Sequence, residues 1–248
     1  MTAINPDTGG QPAKREPWED YTHQHHWRNG ADEFDAAKLG MWLFLATEVL
    51  LFSGFFCAYF VFRMQFPENW HEASRYYLSW EIGFANTCVL LLSSFTVVLA
   101  IRAAQLGKKS HILFWLLITQ LCAGFFLVVK LGWEYWPKIV KDELPGANFA
   151  YGERAAHVLE HAAANGIDQA VAMNEVARDH IFLSLYWVTT ATHGVHVLVG
   201  MIVFAWCMYR AWRGHYGPKN YIMLENCGLY WHIVDIIWIF VFPLYYLV

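Results

Sequence analysis

Charged residues are scarce in this sequence: only 15% of its 248 residues are Asp, Glu, Lys or Arg, while 57% are hydrophobic and 18% aromatic. A soluble domain of ordinary composition carries about 25% charge, so a water-exposed globular surface cannot be built from this chain. A basic excess is lacking too. The net charge of -4 and pI near 6.3 leave no cationic face for a phosphate backbone, which excludes nucleic acid as a partner. Glycine and proline follow no period and apolar residues dominate, so the collagen-like, disulfide-scaffold and disordered classes fall away. The five cysteines, Cys57, Cys88, Cys122, Cys207 and Cys227, are scattered in or beside apolar stretches without a CxxC pair. That scatter argues against a metal cluster or a disulfide frame, and the cysteines read as small core residues.

What the chain has in abundance is apolar sequence, gathered into five runs: Leu39 to Phe62, Ile82 to Ile101, Ile112 to Val129, Ile181 to Tyr209 and Asn226 to Val248. At ~1.5 Å per residue they reach roughly 27 to 44 Å, enough to cross a hydrocarbon core of ~30 Å. The alternating pattern of a membrane β-barrel is absent, and helices satisfy their own backbone in lipid. The expected fold is therefore all-α: a polytopic membrane protein with a bundle of five transmembrane helices. Residues 1–38 are polar and contain no signal-peptide core, so they read as a cytoplasmic tail ahead of a membrane domain at 39–248, and the first span acts as its own insertion signal. Segments 1–38, 102–111 and 210–225 carry 10 Lys and Arg residues against 7 in 63–81 and 130–180. The positive-inside rule then puts the N-terminus inside and the C-terminus outside. Trp70, Tyr76, Tyr77, Trp80, Trp133, Tyr135 and Trp136 crowd the outer ends as interfacial anchors, and Arg63, Lys130 and Glu134 are expected to snorkel toward water.

Two segments stand outside the membrane. The tail holds His23, His25 and His26 beside Trp27, which reads as a surface histidine run without assigned chemistry. Residues at about 133–180 form an extramembrane helical insertion, in which Glu153 to Arg178 is an Ala-rich hairpin broken at Asn165-Gly166. Its Glu153, His157, Glu160 and His161 have the i, i+4 spacing of metal ligands, a spacing that any solvated helix face also produces. Its apolar stripe, Val158, Leu159, Ile167, Val171 and Val176, is predicted to dock on a neighbouring protein.

Ionisable groups at membrane depth are costly, so each is a candidate for function or for gluing helices together. Glu48, tenth residue of the first span and ~15 Å from its inner end, must be protonated, hydrated or paired. It is either a proton-handling carboxyl or a neutral acid bonded to another helix. On the fourth span Thr189, His193, His196 and Gly200 fall on one face. On the fifth, Glu225, Gly228, His232 and Asp235 share a face, with His232 and Asp235 one turn apart and able to pair. Haem or metal ligation by His193, His196 and His232 competes with a helix-gluing role, and no second-shell pattern supports ligation. No metal or cofactor is expected on this chain.

Five stretches carry a resemblance. They are KLGMWLFLATEVLLFSGFFCAYFVFR from Lys38 to Arg63, LLLSSFTVVLA in the second span, Gly132-Trp133-Glu134-Tyr135, THGVHVLVG from Thr192 to Gly200, and LENCGLYWHIVDIIWIFVFPLYY from Leu224 to Tyr246. Together they resemble subunit III of the haem-copper oxidases, in particular the cytochrome c oxidase subunit III family, over about 35–132 and 180–248. Longer members have seven helices, and this sequence is similar to the shortened bacterial form without counterparts of the first two, a form also common in quinol oxidases. The resemblance implies a multi-pass protein of the bacterial cytoplasmic membrane that is non-catalytic. Electron transfer from cytochrome c to oxygen, with proton pumping, then belongs to subunits I and II, which hold haem and copper.

It further implies packing on subunit I, bound phospholipid and support of proton uptake. Glu48 matches the family's reactive intramembrane carboxyl, and His193, His196, Glu225, Trp231, His232 and Asp235 fall among groups that shape the bundle and its lipid cleft. The 133–180 insertion is a candidate contact to a larger respiratory supercomplex. Competing readings are subunit III of a quinol oxidase or nitric oxide reductase-like complex, and an independent proton-coupled transporter using Glu48, His193 and Asp235. The transporter would be expected to show related halves or broken helices.

Overall fold

A computed structural model describes residues 16–23, 25, 27–141, 143–144 and 152–248, and it is helical throughout, with no β-strand among the described residues. Helix α1 runs Gly30–Gln65, opened by the Asn29 side chain, which accepts the Asp32 amide at 2.8 Å, and by acidic Asp32 and Glu33 against the helix dipole. Proline at the first position starts the short amphipathic helix α2, Pro67–Tyr77. Helix α3, Trp80–Gln105, stops at Gly107, whose φ of 68° is the left-handed conformation that a glycine ends a helix with. Helix α4, Lys109–Val129, passes through a π-helical turn, Lys130–Tyr135, into α5, Trp136–Val140. Helix α6, Gly152–Asn165, leads through Gly166 to α7, Gln169–Trp212, capped by Asp168, and α8 spans Ile222–Tyr246.

Five of these rods are long and apolar enough to cross a membrane: α1, α3, the continuous Lys109–Val140 rod, α7 and α8. They match the five apolar runs, and the chain is a multi-pass membrane protein. Helix α8 is the most enclosed, packing on α1, α3 and α7, while α4 closes the bundle against α3 and α7. The two ends of the bundle are fixed by contacts. At one, the Trp18 indole lies against Gly217 and Gly107. At the other, Ser74 bonds the Tyr245 carbonyl at 2.7 Å and Tyr246 reaches Glu134. The described N-terminal segment and the C-terminus therefore lie at opposite ends.

Three expectations change. The hairpin at 152–180 exists, but its second arm is the fourth span itself: α7 continues for 44 residues, ~66 Å, because no proline or turn interrupts it after Asp168. Two residues of its apolar stripe are consumed internally, Val158 and Val176 burying each other with Ala162 and Ala172, while Leu159 is half-buried and Ile167 and Val171 are exposed. Three of the supposed interfacial anchors are core residues. Trp70 is buried edge-on to Tyr59 and Phe182, and Tyr77 and Tyr135 are buried too, whereas Tyr76, Trp80, Trp133 and Trp136 remain exposed.

Candidate functional site

Glu48 sits at the middle of α1, 18 residues or ~27 Å from its first residue, and meets α7. Its Oε2 lies 2.7 Å from His196 Nε2, and both side chains are mostly covered. The other imidazole nitrogen, Nδ1, is 2.7 Å from the Thr192 carbonyl, which can only accept, so Nδ1 carries a hydrogen. One proton is then left between Glu48 and Nε2. It makes either a neutral acid donating to a neutral imidazole or a carboxylate accepting from an imidazolium, and the hydrogen bond survives in both. The Phe52 ring stands edge-on at 5.3 Å from the imidazole, and Tyr230 donates to the His196 carbonyl at 2.9 Å, which fixes the α7 backbone at this level.

The remaining candidates do not gather into one centre. His193, three residues before His196, points the other way into the bundle. It is fully buried between Trp238 and Phe126, ring centroids 4.9 and 5.7 Å away, and neither nitrogen has a hydrogen-bond partner among the described residues. His232 and Asp235 do not pair. Ser94 of α3 comes between the helices and bonds His232 Nδ1, while buried Asp235 keeps Oδ1 without a partner among the described residues. A hydroxyl from α3, and not the next turn of α8, supplies the partner of the imidazole. Trp231 donates to Ser93 at 2.9 Å, and Glu225 pairs with Lys38 at 2.8 Å near the end where α8 and α1 begin. With the three histidines turned toward Trp238, Glu48 and Ser94, no three metal-ligating side chains converge among the described residues. The Glu153 side chain, at the head of the His157 and His161 series, and His26 of the tail lie outside the described residues.

Two polar clusters were not expected. Lys130 and Glu134 do not snorkel: both are buried, inside the π turn, and form an ion pair. The ammonium also donates to Tyr186 at 2.8 Å and to Tyr246, and those two hydroxyls donate to the Glu134 carboxylate at 2.8 and 2.7 Å. Lys138 caps the group from below by donating to the Glu134 carbonyl at 3.1 Å. The second cluster anchors the hairpin. Arg154 of α6 bonds Asp179 of α7 at 3.1 Å and Glu72 of α2 at 3.0 Å. Burial alone would lower the pKa of Arg154, but these two carboxylates outweigh it and hold it above its ordinary value. Beside them the Tyr77 phenol is pushed well up by burial, with the charges of Asp179 and Glu143 adding to the effect. The spacing Lys130 to Glu134 was visible in the sequence as an i, i+4 pair, but its tyrosine partners lie 56 and 116 residues away from Lys130.

Comparison with known proteins covers most of the chain. A sequence model described as cytochrome c oxidase subunit III matches residues 21–162 and 161–248, so the match runs through the 133–180 insertion as well. A probable cytochrome c oxidase subunit 3 of Nocardia farcinica is 29% identical over 211 residues, 85% of this chain and 87% of its own length. Another, of Mycobacterium leprae, is 27% identical over 85% of this chain and 87% of its own. The cytochrome c oxidase subunit 3 of Loxodonta africana is 27% identical over 84% of this chain and 68% of its own.

Proposed function

The chain belongs to the cytochrome c oxidase subunit III family, and on that footing we propose that it is a non-redox subunit that supports proton supply to the oxidase complex. Haem and copper reside in partner subunits I and II, which carry electrons from cytochrome c to oxygen. This chain packs on subunit I, holds phospholipid along its open helix faces, and lies in the bacterial cytoplasmic membrane with its N-terminus inside. The basic residues at the end that holds Trp18, the 102–111 loop and the 210–225 turn favour that orientation.

The observation that carries the proton-linked role is the Glu48 and His196 pair. A carboxyl and an imidazole at hydrogen-bond distance within a bilayer share one proton, and its position responds to the electrostatics around it at little cost in geometry. Such a pair stores a proton near the middle of the membrane without needing to conduct it across. Glu48→Gln tests this, because the amide keeps a hydrogen bond to His196 but has no acidic proton to share. In the intact complex the variant should assemble normally yet show altered turnover, or faster inactivation during turnover, over a pH series. Turnover and lifetime identical to the parent at every pH would leave Glu48 as a packing group.

A further inference from the structure

The five cysteines sit one to a spanning helix, and two of them meet. Cys207 of α7 and Cys227 of α8 place their sulfurs 3.6 Å apart, with Cys207 fully buried and Cys227 nearly so. Bonding requires the sulfurs to close by about 1.6 Å. Cys57, Cys88 and Cys122 stand on α1, α3 and α4, and none makes a sulfur contact of this kind among the described residues.

The pair is also reachable. Cys227 lines an apolar groove of about 430 Å³ between α1, α7 and α8, together with Met41, Phe44, Val203, Met223 and Tyr230. Cys207 stands behind it, away from the groove. The Arg210 guanidinium lies 5.5 Å from the Tyr216 ring centroid and donates to Sδ of Met223, which lines the same groove as Cys227; a cation near a thiol favours the thiolate, the species that attacks oxidants. An outer thiol lining an open groove, with a second thiol directly behind it, is the arrangement of an attacking and a resolving cysteine.

We propose that Cys207 and Cys227 form a reversible dithiol and disulfide couple, oxidised by peroxide that reaches Cys227 through this groove. Cys227 sulfur attacks one peroxide oxygen, the O–O bond breaks, the leaving hydroxide takes up a proton as water, and Cys227 becomes a sulfenic acid. Cys207 sulfur then attacks Cys227 sulfur, the S–O bond breaks, the S–S bond forms and a second water leaves. Two thiols lose two electrons and two protons, and hydrogen peroxide accepts them. The product ties α7 to α8 beside the turn at Gly217 and Asn220.

The test uses the intact complex in membranes, treated with hydrogen peroxide, quenched with an alkylating maleimide under denaturing conditions and cleaved with cyanogen bromide. Cleavage at Met201, Met208 and Met223 puts Cys207 in fragment 202–208 and Cys227 in fragment 224–248. The expected result is that these two fragments run as one linked species, that both thiols vanish from the alkylation map together, and that dithiothreitol restores them. In Cys207→Ser the link is absent and Cys227 is trapped by dimedone as a sulfenic acid. Should that variant fail to assemble, the map of the unaltered complex decides alone. Both thiols remaining alkylatable at a dose that oxidises exposed Cys57 or Cys88, or oxidation of either one without the link, overturns the proposal.

Discussion

Lys130 and Glu134 form a buried ion pair within one π turn, and the hydroxyls of Tyr186 and Tyr246 close over both charges. Removing one partner of such a pair strands the other in a low dielectric. Lys130→Met or Glu134→Gln should therefore destabilise the subunit by about 3–5 kcal/mol, whereas Lys130→Met with Glu134→Leu should recover much of the loss. Thermal release of the subunit from the detergent-solubilised complex measures all three. A double variant as unstable as the sum of the singles would show that packing, and not the stranded charge, sets the cost.

Gly200 touches the indole of Trp231 so closely that a Cβ built on it would lie 2.6 Å from the ring. Gly200→Ala should cost about 1–3 kcal/mol through forced separation of α7 and α8. At Gly54 of α1 a Cβ meets nothing, and Gly54→Ala should be neutral or stabilising by up to about 1 kcal/mol from helix propensity alone. Melting of the two variants under identical conditions makes the comparison, and equal effects would contradict the close approach.

Arg154 bonds the hairpin arm α6 to both α7 and α2. Arg154→Ala leaves buried Asp179 without its guanidinium, so amide exchange across 152–165 should accelerate while exchange in α3 and α8 stays unchanged. Unaltered protection of 152–165 would mean that Val158, Ala162, Ala172 and Val176 hold the hairpin by themselves.

Two tyrosines outside the spans set an alkaline limit. Burial raises the pKa of both Tyr77 and Tyr216 above the ordinary 10.0, so the folded protein keeps those protons after the unfolded chain has begun to lose them. The stability they contribute is complete below pH 10 and declines as the pH rises beyond it. A series of melting temperatures from pH 8 to 11 should fall at its alkaline end, and less steeply in Tyr77→Phe. An unchanged slope in that variant would remove Tyr77 from the account.

The spans were legible because length and apolar content alone decide whether a helix can cross a bilayer, and the five runs differ from the five observed rods mainly at their ends. The extension of α7 back to Gln169 was not legible, since Asn165-Gly166 marks a break but nothing in an amphipathic sequence shows that the arm after it runs on uninterrupted into the membrane helix. Glu48 was recognisable as a residue that needs a partner, and His196 was recognisable as polar on an inward face. Their meeting depends on how α1 leans on α7, which spacing does not encode. The same limit explains Lys130, because an i, i+4 ion pair reads identically whether it snorkels or is roofed by tyrosines from α7 and α8. It explains His232 as well, where Ser94 of another helix took the place that helix periodicity assigned to Asp235.

The most direct measurement is purification through a tag on this chain in mild detergent, with an optical spectrum, metal analysis and mass identification of what copurifies. The expected result is haem absorbance and copper in proportion to oxidase subunits I and II, with no metal on this chain once it is separated from them. A colourless preparation of this chain alone would contradict its place in an oxidase complex and return the proton-coupled transporter to consideration.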